Sequence, residues 1–377
     1  MRTKSDQLKF LFVIDNLSTG GAQRQMINLT LGLTNRGYHV EIFCYTPGDL
    51  LIKPLLDAGI PIHWHLKASR FSTNIILSLR KIISQGKFDL VLSFLTTPNF
   101  YSIVATRSLF LIRTPVIVSE RFCDLPQGVS RIEKFARQFY RAATHVVTNS
   151  FHQRDNLKTK YPWLKDRIST IYNGYDLQKF SPGDRIPNND PIQILTIASV
   201  SPYKNGLCLI EALNILRKRD NITPQVDWIG QLVLMGDRLD YLNLMNEALN
   251  KYDLTEQWNW LNQRTDIVEQ LQSHDLLVHP SFGEGLPNVV CEALACGIPV
   301  ILSEALDHKN LVQDGISGLL FDHTNPNDLA DKILKFINLS IDQKKEMGIN
   351  GRKFAETHLS QERLVNDYEK LFLDVLN

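Results

Sequence analysis

The sequence predicts an α/β protein made of two doubly wound domains, each a parallel sheet flanked by crossover helices. Three observations lead there. Short β-rich runs alternate with longer helical patterns along the chain. The 377 residues are enough for two cores of ordinary size. Between the halves, SPGDRIPNNDPI (residues 181–192) is rich in Pro, Asn and Asp and has no periodicity, as a linker should. The expected division is a first Rossmann-like domain over 1–176, a linker over 177–191 and a second Rossmann-like domain over 192–357. A final helix over 358–377 is expected to pack back toward the first domain. No internal repeat or low-complexity tract competes with this reading.

The strands of the first half read as KFLFVID, HVEIFCY, DLVLSFL, PVIVSE and HVVTNS. Those of the second read as IQILTIAS, QLVLMG, WNWLN, DLLVHPS and PVILS. Ligands of such sheets bind beyond the carboxyl ends of the strands, so facing edges of the two domains would form a cleft.

Composition narrows the function. Hydrophobic residues make up 44% of the chain, and no run approaches the roughly 18 to 20 apolar residues of a membrane-spanning helix. The N-terminal KFLFVID is about a strand long and ends in Asp15, so it reads as a first strand rather than a signal peptide. Five cysteines without CxxC spacing fit a reducing cytoplasm better than disulfides or zinc. The net charge of +1 conceals a split. Met1 to Asp176 carries 23 Lys+Arg against 12 Asp+Glu, or +11, and the remainder carries 18 against 28, or −10. That asymmetry points to something anionic facing the first half. Nucleic acid is a poor partner, because no reader motif accompanies the charge. The stretch RIEKFARQFYRAATH (131–145) combines Arg131, Lys134, Arg137 and Arg141 with Ile132, Phe135, Phe139 and Tyr140. It reads as a basic amphipathic helix, suited either to an anionic bilayer or to core packing with a solvated basic face.

Two stretches carry chemistry. After the first strand, Gly20 and Gly21 form a tight turn before a helical pattern, where backbone N–H groups and a helix N-terminus favour a phosphate. Alone that signal is weak, since glycine turns before helices are commonly structural. The second stretch is SFGEGLPNVVCEALACGIPVIL. Here a buried strand ends in the loop SFGEG, Pro287 suits the first helical position, a helix continues from Asn288 to Cys296, and Gly297 ends it. Glu284 then lies in the loop, and Glu292 one turn into the helix on the face of Asn288. An acid among Val289, Val290, Ala293 and Leu294 needs a partner, which paired ligand hydroxyls would supply. The free N–H groups of Gly285, Leu286 and Asn288 would accept an anion or a sugar oxygen. A polyol joined to a phosphate, that is a nucleotide sugar, fits both features. Metal binding is not expected, since neither His63 and His65 nor any Cys/His cluster stands at ligand spacing. His279 reads as a core histidine, and His308 has no assigned task.

EGLPNVVCE resembles the E-x7-E motif of the retaining GT-B glycosyltransferases of family 4, many of which build bacterial cell-surface polysaccharides. TGGAQRQMINLTLGLTNRGYHVEIF, IYNGYDLQKFSP and LVQDGISGLLFD extend the similarity over most of the chain. The resemblance implies that Glu292 holds the donor ribose, and that Glu284 faces the donor sugar with the amides of Gly285 and Leu286. Pro287 and Asn288 continue that donor-binding stretch. Lys204 matches the lysine that neutralises the diphosphate, Gly20 and Gly21 would approach the same phosphates, and Asn262 would lie by the base. It further implies a retaining, front-face transfer of a hexose or N-acetylhexosamine from a nucleoside diphosphate sugar, UDP favoured, with no metal or other cofactor. The acceptor would be lipid-linked or a glycan, and the protein cytoplasmic, at most peripheral on the inner face of the cytoplasmic membrane. Three departures stand out. Ser199 occupies the position of a second, arginine clamp. Arg121 replaces a histidine and could restore the lost charge, unless it simply pairs with Glu120. Asn262 stands where a glycine is usual. A catalytically silent donor-binding subunit and a sugar-nucleotide epimerase are the alternatives.

Overall fold

The computed structural model describes residues 8–18, 20–67, 72–107, 114–124, 128–184, 191–232 and 235–377. Thr19 of the first glycine turn and residues 185–190 of the expected linker lie outside them. The chain forms two compact units. One comprises Met1–Gly174 and Gln361–Asn377, and the other Tyr175–Ser360. The segment expected as a linker from 177 therefore counts with the second unit.

The first unit is a seven-stranded parallel sheet of β1 (Lys9–Ile14), β2 (His39–Cys44), β3 (Ile62–Trp64), β4 (Leu90–Phe94), β5 (Val116–Glu120), β6 (His145–Thr148) and β7 (Ile168–Thr170), in the order β3-β2-β1-β4-β5-β6-β7. After Lys9, β1 is apolar from Phe10 to Ile14 because both its faces are covered. Phe10, Phe12 and Ile14 enter a core that includes Met26, Leu29 and Leu33 of the helix Gly21–Asn35, together with Tyr368 and Phe372 of the C-terminal helix Gln361–Leu376. Leu11 and Val13 face the opposite way, into a core with Leu79 and Ile83 of the helix Thr73–Gly86. Phe12 is in register with Ile42 on one side and Leu92 on the other. The C-terminal helix packs closely: a Cβ on Gly32 would lie 2.3 Å from Val365 Cγ2.

The second unit is a six-stranded parallel sheet of β8 (Gln193–Ile197), β9 (Gln225–Ile229), β10 (Trp258–Leu261), β11 (Leu276–His279), β12 (Val300–Ser303) and β13 (Leu319–Phe321), in the order β10-β9-β8-β11-β12-β13. One expected strand is corrected. β9 is QVDWI, and the described residues of QLVLMG lie outside any strand, just before the helix Asp237–Lys251. QVDWI alternates half-buried Gln225 and Asp227 with buried Val226 and Trp228, and this hid it beside the more uniformly apolar QLVLMG.

In each sheet the strand order reverses beside the first strand of its unit, between β1 and β4 and between β8 and β11. Loops leaving the carboxyl ends of such neighbouring strands diverge and open a crevice. Among the described residues no helix is long and apolar enough to cross a membrane.

Candidate active site

The second sheet's switch point carries the charged residues singled out in the sequence. β8 leads into Ser199 and a single 3-10 turn, Pro202–Lys204, which ends on Asn205 in a left-handed conformation (φ 59°). Asn205 is held there by its Nδ2 donating to the His323 carbonyl at 2.8 Å. From the neighbouring strand β11 the chain runs through Ser281 and Phe282 to Glu284. The two loops are stitched together: the Tyr203 carbonyl accepts from the Phe282 amide at 2.9 Å and from Ser281 Oγ at 3.2 Å. This brings Lys204 Nζ to 2.7 Å from Glu284 Oε1. Residues 80 positions apart in the chain thus form one ion pair at the sheet edge.

The same Oε1 lies 2.5 Å from Nε2 of His279, the last residue of β11. Burial alone would push the Glu284 carboxyl up, but the neighbouring His279 and Lys204 outweigh it and hold the group well below the usual carboxylate range. His279 is therefore more than a core histidine: its ring touches the candidate site. Sequence periodicity placed it inside, and only the folded path of the SFGEG loop reveals its partner. Beside it, His308 is fully buried, its Nδ1 within 2.9 Å of the Ser303 carbonyl and 3.0 Å of Ser303 Oγ. Burial, reinforced by His279, lowers its pKa to about 3, so it is neutral.

After Gly285 and Leu286, the helix Asn288–Ala295 begins, with Pro287 as its N-cap rather than its first residue. Asn288 and Glu292 are both half-buried on one face, and Gly297 closes the turn beyond the helix with φ 66°. Asn288 Oδ1 accepts from the Tyr175 hydroxyl at 2.7 Å, which fixes the start of the helix. Ser199 is half-buried near Lys204 in sequence, and Asn262 is exposed directly after β10. Among the described residues no group of three or more His, Cys, Asp or Glu is placed to hold a metal ion.

Gly20, Gly21 and Arg121 belong to the first unit. Gly20 is the N-cap of the helix Gly21–Asn35, its backbone extended and without a side-chain cap. The Arg121 guanidinium lies 3.8 Å from the Phe94 ring centroid, with Nη1 donating to Asn173 Oδ1 at 2.8 Å and Nη2 to the Tyr368 hydroxyl at 2.6 Å. Glu120, the alternative partner in the sequence, is buried against Arg137 and the Tyr140 hydroxyl.

Two family models match the chain, Glycosyltransferase Family 4 over residues 19–179 and Glycosyl transferases group 1 over residues 178–354. The chain belongs to glycosyltransferase family 4. A D-inositol 3-phosphate glycosyltransferase of Paenarthrobacter aurescens is 27% identical over 241 residues, 60% of this chain and 56% of its own length. The first few curated relatives are matched over only about half their length, 46% to 59%. A UDP-Gal:alpha-D-GlcNAc-diphosphoundecaprenol alpha-1,3-galactosyltransferase of Escherichia coli is 22% identical, covering 100% of this chain and 99% of its own. The Anabaena protein HepE, solved with UDP, superposes with a TM-score of 0.83 at 18% identity, over 97% of this chain and 100% of its own. The architecture is GT-B.

Within this family 4 protein the expected basic face is corrected. The helix spans Arg131–Gln138 and passes into a 3-10 turn, Phe139–Ala142, instead of running to 145, because His145 opens β6. Arg137 does not face solvent. It is buried between Glu120 (3.3 Å) and Asp124 (2.6 Å), so its charge is spent inside the unit. Arg131, Lys134 and Arg141 remain exposed.

Proposed function

We propose that this protein is a retaining glycosyltransferase. It moves a hexose or N-acetylhexosamine from a UDP-sugar to a lipid-linked or glycan acceptor of cell-surface polysaccharide synthesis. The observation that carries the reading is the Lys204–Glu284 pair at the second sheet's switch point, with Asn288 and Glu292 on the helix that follows it. A leaving diphosphate gains negative charge as the glycosidic bond breaks, and an ammonium that has moved onto the phosphates in the bound complex stabilises that charge. Lys204 takes this role, and no metal is needed for it. Glu284 orients the sugar and Glu292 the ribose. The UDP in the Anabaena relative supports the choice of base, and the undecaprenol-linked substrate in the Escherichia coli relative's name supports a lipid-linked acceptor.

The residues 131–142 fit such an acceptor. On the outward face of their helix, Ile132 and Phe135 are 48% and 61% exposed beside Arg131 and Lys134. Apolar side chains among cations suit an anionic bilayer surface.

The test is calorimetry and product analysis. Glu292→Ala is expected to weaken UDP binding by about 1 to 3 kcal/mol, the scale of hydrogen bonds to a charged group. Unchanged affinity in a folded variant would remove the ribose assignment. Incubation with UDP-sugars and acceptor lipid should yield a product with the donor's anomeric configuration, unaffected by chelator. Sugar conversion without acceptor would favour an epimerase. UDP binding without any turnover would favour a silent subunit, the reading that Ser199 motivates.

A further inference from the structure

We propose that His279 is a positioning residue, the fixed hand that keeps the Glu284 carboxylate oriented when Lys204 turns to the donor's diphosphate. This rests on the glycosyltransferase reading above.

Two donors converge on one oxygen. His279 Nε2 and Lys204 Nζ lie 2.5 and 2.7 Å from Glu284 Oε1. Oε2 has no protein partner among the described residues, which leaves it as the oxygen a sugar hydroxyl would meet. The two donors differ in freedom. Lys204 ends a single 3-10 turn and reaches Glu284 through a four-carbon stem, with 13% of its side chain exposed. His279 closes a buried strand and is 1% exposed. The neutral, anchored ring of His308 packs edge-on against it at 5.5 Å.

A bound diphosphate offers Lys204 more negative charge than one carboxylate does. Its ammonium therefore shifts to the phosphates, and Glu284 loses one of two donors. A partly buried carboxylate stripped of all donors would carry the full cost of desolvation and would rotate. With His279 in place it keeps one hydrogen bond, its charge and its direction. His279 Nδ1 is buried without a partner, so Nε2 is the ring nitrogen that donates to Glu284. The ion pair in this structure is then the resting arrangement, and the histidine bond persists through the cycle.

The experiment combines UDP calorimetry, hydrolysis of UDP-glucose, UDP-galactose and UDP-N-acetylglucosamine, and crystals of the wild-type chain with UDP. In His279→Leu, kcat should fall about tenfold or more while the UDP Kd changes less than about twofold, because the lost contact acts on the sugar end. In His279→Gln the side-chain amide still donates, and most of kcat should return. In the crystals Lys204 Nζ should lie on phosphate oxygens and His279 Nε2 should remain on Glu284. A Leu variant with wild-type kcat, a Gln variant as impaired as Leu at an unchanged melting temperature, or Lys204 still on Glu284 beside bound UDP would each overturn the inference. If Leu fails to fold, the Gln variant and the crystals decide. A wild-type chain that binds no UDP would remove the glycosyltransferase reading and this inference together. Normal UDP binding with an indifferent His279 removes the inference alone.

Discussion

Lys204 and Glu284 are held in place by neighbours that do no chemistry. Tyr203's carbonyl ties the lysine's turn to the β11 loop, and Asn205 accepts a left-handed backbone so that the turn can end there. Removing the lysine would leave Glu284 with one donor and the candidate donor site with one cation fewer, beside an uncharged Ser199. Lys204→Ala is therefore expected to lower turnover of UDP-sugar about a hundredfold or more, the scale of a lost preorganised charge donor. Binding of uridine, which has no phosphate, should change by less than about threefold. Steady-state rates set beside uridine calorimetry separate the two effects, and equal losses in both would make the lysine structural. Of the residues here, Glu284, Lys204, Asn288 and Glu292 were legible in the sequence because a loop and a helix carry them in one readable stretch or in a motif. His279 was not. Its apolar neighbours on β11 read as core, and its link to Glu284 depends on how a five-residue step folds back.

The helix Arg131–Gln138 shows the same limit at the scale of an element. Its cations suggest one charged face, but helical geometry turns Ala136 and Arg137 inward, where Glu120 and Asp124 receive the guanidinium. A capping box between Ser130 and Glu133 sets the helix start and so fixes which residues turn in. Short elements were the other loss: β7 and β13 have three residues each, too few for periodicity to register. Longer strands buried on both faces, such as β1 and β5, were plain from their apolar runs. The inward turn has an energetic consequence. Arg137→Ala leaves two buried carboxylates short of a partner and should destabilise the protein by about 3 to 5 kcal/mol. Lys134→Ala, on the exposed side, should stay within about 0.5 kcal/mol. Urea melts followed by circular dichroism would show both. Acid should expose the same pair. Burial raises the Asp124 pKa, but Lys160 and Arg137 outweigh it and bring it down to about 2. A carboxyl depressed on folding stabilises fully above its unfolded pKa, about 3.8 to 3.9, and loses that contribution as pH falls through the folded value. The wild type should therefore lose stability between about pH 4 and 2 more steeply than Arg137→Ala does. Parallel acid profiles for the two proteins would mean that Arg137 does not depress Asp124.

For the molecule as a whole, the charge split sets the association problem. The first 176 residues carry +11 and the rest −10, so an anionic surface would attract one half and repel the other, which orients the protein as well as binding it. With Arg137 neutralised internally, the exposed contributors near the helix are Arg131, Lys134 and Arg141, flanking the exposed Ile132 and Phe135. Each cation near an anionic bilayer contributes roughly 1 kcal/mol, and inserting the Phe135 ring adds apolar burial that salt does not screen. Binding to liposomes should accordingly require anionic lipid and weaken from low to physiological salt as the Debye length shortens to about 8 Å. Reversing Arg131 and Lys134 together to Glu should reduce liposome affinity by at least tenfold, whereas Arg137 is left out because it is buried against Glu120 and Asp124 and does not reach the surface. Phe135→Ser should lower affinity while leaving its salt dependence intact, since it removes the apolar part only. In all these variants UDP affinity should match the wild type, because the candidate donor residues Lys204, Glu284 and Glu292 belong to the second unit. Flotation at two salt concentrations, paired with UDP calorimetry, checks every arm. A chain that ignores anionic liposomes at low salt, or whose double reversal binds them as well as the wild type does, would exclude this face as the membrane surface while leaving the donor chemistry untouched.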